Sequence, residues 1–182
     1  MVFQNKETEK KLKRFGWSSN RKVSLPAYID YHATPSVVIS ILENLYGLEF
    51  VSPTGNERIF KVHEAFIRDF KTDMQEWIED TGISFQFYPL GHMAEHGGIL
   101  VLDQNGRFYL AGDELIYYGD NIEQFVDVVI FKRRCGISIR ENGTTFYCYN
   151  NKNTGYLFNA ENGWLGKQEY LDLEYIKAHN NS

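Results

Sequence analysis

Two histidines four residues apart are the first candidates for chemistry. His92 and His96 lie in Gly91-His92-Met93-Ala94-Glu95-His96. On one helix face such a pair can hold a metal ion. Here a glycine precedes the pair and two follow it, which argues against a helix, and the H-E-x-x-H order is absent. An ordinary loop is expected, with no metal and no cofactor. Cys135 and Cys148 lack the local signature of an activated nucleophile and read as small buried hydrophobes. The adjacent carboxylates Asp113-Glu114 and Glu79-Asp80 could serve acid/base work, but nothing beside them perturbs them, so they read as solvated. Gly97-Gly98 runs into Ile99-Leu100, without the lysine and hydroxyl of a phosphate loop. Gly163-Trp164-Leu165-Gly166 has the glycine frame of a nucleic-acid clamp but no charge inside it. No catalytic centre emerges, and the chain is expected to bind rather than to catalyse.

Whole-chain properties narrow the partner. The 182 residues suit one domain, with 43% hydrophobic and 24% charged residues. Aromatics reach 15% and supply core first and binding faces second. The net charge of −5 is unevenly placed. Residues 1–22 carry seven Lys/Arg and two Asp/Glu, whereas the other 160 carry 12 and 22, a net of −10. An acidic body repels phosphate backbones and attracts a basic protein. The tail aromatics Phe146, Tyr147, Tyr149, Tyr156, Phe158 and Trp164 therefore read as packing or pocket residues, not as stacking platforms for nucleic acid. No run approaches the roughly 18–20 apolar residues of a membrane span, and the start lacks the apolar stretch of a secretory signal. The cysteines are expected to be free thiols.

These residues need a frame. A helix is expected over Lys6–Phe15, with Glu7/Lys11 and Glu9/Lys13 one turn apart. Lys22 to Tyr31 reads as extended. A second helix opens on a Thr34 cap and Pro35 and ends at Gly47, with Val37, Val38, Ile41, Leu42, Leu45 and Tyr46 on one stripe. Strands follow at 48–51 and 58–62. A third helix over Asp73–Asp80 is opened by a capping box of Thr72 and Gln75 and stopped by Gly82. Strands are expected at Ile83–Tyr88, ending at Pro89, then at 99–102, 107–110 and 115–118. Asn105-Gly106 marks a tight hairpin. A fourth helix spans Asn121–Phe131. The tail adds hairpins, with turns at Asn142-Gly143 and Asn162-Gly163, and a short helix over Leu171–Ala178. Helices mixed with antiparallel strands give an α+β class. The expectation is a single domain over 1–182, with a central, mainly antiparallel sheet flanked by about four helices. Its core is placed at about 10–133, with a C-terminal β-hairpin extension over 134–182.

Four short motifs follow one another: Gly16-Trp17 with Arg21, a helix closing in Leu45-Tyr46-Gly47-Leu48, then Pro89-Leu90-Gly91-His92, and Asp103-Gln104-Asn105-Gly106-Arg107-Phe108-Tyr109. Their order resembles the third subfamily of the SUKH superfamily of immunity proteins. The resemblance covers about residues 10 to 133. Tyr46 replaces a usual glycine, His92 replaces a common acidic residue, and the stretch after Arg134 lies beyond the usual core. The resemblance implies a bacterial, cytoplasmic protein that binds and neutralises a cognate toxin domain, often a nuclease. The alternative is a small-molecule or peptide-binding regulatory module on the same fold. Gly16, Trp17, Arg21, Gly47, Gly91 and Gly106 match the motifs and are expected to be structural. The partner is expected to meet Asp113, Glu114, Asp120, Glu123 and Asp127. Direct nucleic-acid and membrane partners are not expected.

Overall fold

The computed structural model describes residues 3–51, 57–61, 64–81, 85–93, 98–131, 136–139, 154–156 and 170–172. Helix α1 is Lys6–Arg14, α2 is Ser36–Leu45, α3 is Glu64–Thr81 and α4 is Ile122–Val129. Strands β1 (Glu49–Val51), β2 (Glu57–Ile59), β3 (Phe87–Met93), β4 (Gly98–Asp103), β5 (Phe108–Ala111), β6 (Leu115–Gly119) and β7 (Ile137–Ile139) form one sheet. Each strand pairs antiparallel with the next in chain order. The expected α+β arrangement, a central antiparallel sheet with helices, is the one observed. β7 carries the sheet past residue 133. β8 (Thr154–Tyr156) and β9 (Tyr170–Asp172) pair as a separate two-stranded sheet. The helix expected from Leu171 does not begin there, because residues 170–172 are strand. The turns at Asn142-Gly143 and Asn162-Gly163 lie outside the described residues.

Helices cover both faces of the sheet. On one face, Leu12 of α1, Val38, Ile41, Leu42 and Leu45 of α2 and Phe125, Val126 and Val129 of α4 pack with Phe50, Phe60, Leu100, Leu102, Phe108 and Leu110. On the other, Phe70 of α3 lies among Phe87, Ile99, Val101, Tyr109, Leu115 and Tyr117, with Met74 and Trp77 at its edge. A strand buried on both faces loses its polar alternation, which is why β4 reads Gly-Ile-Leu-Val-Leu-Asp and is buried throughout.

Four local expectations need correction. Thr34 does not cap α2: the cap is Pro35, without a side-chain bond, and Thr34 instead closes a turn by donating its amide to the Asp30 carbonyl. α3 begins at Glu64, so Thr72 and Gln75 sit inside it and no capping box forms. Phe70, Met74 and Trp77 fall at helical spacing, and the inward stripe therefore starts before Thr72. β3 does not end at Pro89 but runs to Met93. A register shift between Pro89 and Gly91 absorbs the missing proline N–H. Last, the Asn105-Gly106 hairpin has a three-residue connection. Gly106 N–H bonds the Asp103 carbonyl, Asp103 N–H bonds the Arg107 carbonyl, and Gly106 sits at φ +79°.

Candidate functional site

The motif residues divide into a joint and a turn. At the joint, Trp17 is buried, donates its amide to the Leu12 carbonyl and meets Phe3 edge-on at 4.8 Å. It thereby fixes the end of α1 to the core. Arg21 reaches across to the carbonyl of Tyr46, the residue that ends α2, which places a cation where helix carbonyls are left over. Gly47, at φ +79°, lies under the guanidinium and donates to the Phe60 carbonyl. Gly16 packs against Leu48. Gly91 is separate, at the β3 irregularity opposite Leu100.

The turn is the Asp103–Tyr109 hairpin, and it holds a buried ionic network. Asp103 is fully buried. Its Oδ1 accepts the amides of Asn105 at 2.8 Å and Arg107 at 3.0 Å. Its Oδ2 accepts from Arg107 Nε and, at 3.2 Å, from the Tyr109 hydroxyl. Arg107 in turn lies 4.7 Å over the Phe85 ring. Burial pushes the Tyr109 pKa well up, and the Asp103 carboxylate adds to the effect. Burial alone would lower the Arg107 pKa, but the charges of Tyr109, Asp103 and Asp120 outweigh it and hold the guanidinium above its ordinary value. These bonds tie both sides of the turn to one buried carboxylate and so lock the hairpin.

The five acidic residues do not form one patch. Asp113 and Glu114 are exposed in the bend before β6, and Asp120 follows the far end of that strand. Five strand residues separate the ends by roughly 17 Å. Glu123 Oε1 accepts the Asn5 amide at 2.7 Å and ties α1 to α4, and Asp127 sits half-buried one turn further along α4. His92 lies half-buried in β3 opposite Ile99 and Ile59, a strand position rather than the expected loop. His96, Cys135 and Cys148 lie outside the described residues, as do the side chains of the tail aromatics. Among the described residues no group of three or more His, Cys, Asp or Glu could hold a metal, and no helix is long and apolar enough to cross a membrane.

A feature the sequence pattern did not single out is the segment laid beside α2. Tyr28 is 40% exposed, Tyr31 47% and Val37 42%. The Tyr28 and Tyr46 hydroxyls bond at 3.0 Å. Tyr28 sits two residues after Pro26, a placement that the extended reading of this stretch gave no reason to weigh.

The model of the SUKH-3 immunity protein family matches residues 4–131, which takes in both motif clusters and α1 to α4. The chain belongs to the SUKH-3 immunity protein family. No curated protein and no solved structure matches it. Membership in the SUKH-3 family makes toxin immunity the function class and a toxin the class of partner. Members of such a family act in general by binding. The SUKH-3 match ends at residue 131, before β7 and the two-stranded sheet.

Proposed function

We propose that this chain neutralises a cognate bacterial toxin domain in the cytoplasm by binding and occluding it, without turnover. The observation that carries this reading is the family match over residues 4–131. A net of −10 after residue 22 suits a toxin whose active face is basic, as a nuclease face must be to hold phosphates. Asp113, Glu114, Asp120, Glu123 and Asp127 contribute to the field that draws such a toxin in. With two of them at one end of β6 and Asp120 at the other, their effect is on the encounter rather than on one contact. Residues 134–182 extend the same domain, a reading supported by β7 pairing with β6.

The test is rescue. The toxin domain encoded beside this chain is expressed in bacterial cells with and without it. Survival only with the chain, at unchanged toxin abundance, is expected. Death in both cases refutes the immunity reading. Survival accompanied by loss of the toxin protein would point to degradation instead of occlusion.

A further inference from the structure

Among the described residues the exposed large hydrophobic side chains are Tyr28, Tyr31 and Val37, and they share one short stretch. That stretch is well fixed. Ile29 N–H bonds the Pro26 carbonyl, and Thr34 N–H bonds the Asp30 carbonyl. Asp30 Oδ1 accepts the amides of His32 at 2.8 Å and Ala33 at 3.2 Å. Buried Leu25 and partly buried Ile29 anchor the segment to the core, and Val23 N–H holds it to the Glu43 carbonyl of α2. Val37 follows in the first turn of α2, against the β4–β5 turn at Gly106. The fold thus holds two tyrosines and a valine outward on a backbone whose shape is kept by these five hydrogen bonds. An ordered aromatic surface loses little conformational freedom on binding, and tyrosine is among the residues that dominate interface energies.

The same stretch carries a charge. Asp30 is exposed, and the His32 and Ala33 amides hold its carboxyl below the usual range, so it remains an anion. Tyrosine faces and a fixed carboxylate together favour arginine and lysine. The 160 residues after Lys22 carry a net charge of −10.

We infer that the flank formed by residues 28–37, with Tyr28, Tyr31 and Val37 as anchors and Asp30 as the charged contact, is the surface that grips an arginine- or lysine-bearing face of the toxin. This rests on the immunity reading and names the surface that performs it. The acidic residues elsewhere govern arrival, and this flank governs residence.

The experiment measures dissociation of the adjacent-encoded toxin domain from immobilised chain, for wild type and two variants. Tyr28→Ala/Tyr31→Ala removes the aromatic anchors. Val37→Arg sets a cation where the partner's cations must lie. Both alter exposed positions, and unchanged melting temperatures verify folding. Gln75→Ala/Glu76→Ala on α3, across the sheet, is the control. Dissociation faster by roughly 30-fold in both variants, with the control unchanged, is the expected result. A change below roughly tenfold in a complex that wild type does form overturns the surface and leaves the immunity reading standing. Absence of any wild-type complex, with no rescue in cells, overturns both.

Discussion

Asp103 accepts from two backbone amides, a guanidinium and a phenol while fully buried. Asp103→Asn keeps the shape but leaves Arg107, only 11% exposed at its side chain, without its counter-charge. Denaturant titration should give a loss of about 3 kcal/mol. Tyr109 supplies a pH dependence. Its folded pKa lies well above the ordinary 10.0. The stability it contributes is fully present below that value. It is lost as the pH rises from there through the folded value, because the unfolded chain ionises first. Tyr109→Phe should therefore flatten the alkaline limb of the melting-temperature profile above about pH 10 relative to wild type. The sequence marks this site through Asp103, Gly106, Arg107 and Tyr109, whose spacing is that of a hairpin. It cannot mark that Phe85 closes over Arg107, since that contact depends on where the chain returns after α3. Tyr28 and Tyr31 escaped notice for a related reason. Exposure is a property of the packed neighbours, and two tyrosines in an extended stretch read equally well as core.

At the scale of elements, apolar spacing located α2 and α4 to within a residue or two, because their buried stripes are dense, whereas α1, with only Thr8 and Leu12 buried, was located by its oppositely charged pairs one turn apart. α3 was found at about half its length. Its first half, Glu64–Asp73, is charge-rich, and Thr72 and Gln75 imitate a start signal. A single substitution separates the two readings. As an internal, exposed helix residue, Thr72→Ala should raise stability by about 0.5 kcal/mol, since alanine is the better helix former. As a cap it would lower stability by about 1 kcal/mol. Asn121, whose side chain accepts the amides of Glu123 and Gln124, is a true cap, and Asn121→Ala should cost about 1 kcal/mol by thermal or urea denaturation. β3 shows the same limit from the other side. Proline is a fair stop signal in a strand, but the irregularity between Pro89 and Gly91 allows the strand to continue.

The molecule as a whole pairs a basic first 22 residues with an acidic remainder, and this asymmetry was fully legible in the sequence. What composition could not give is its arrangement: the acidic residues of the last long hairpin and helix are divided between the two ends of β6. Charge reversal at Asp113, Glu114 and Asp120 to lysine should slow toxin association about tenfold at low salt, with the difference shrinking at high salt and the dissociation rate little changed. Glu123 is left intact in that variant because it holds Asn5. The most direct measurement is a calorimetric titration of the full chain with the toxin domain encoded next to it, read alongside the toxin's own activity. Occlusion predicts a one-to-one complex in the nanomolar range that abolishes activity at equivalence. No heat and no co-elution, with the toxin fully active beside an excess of the chain, would contradict it.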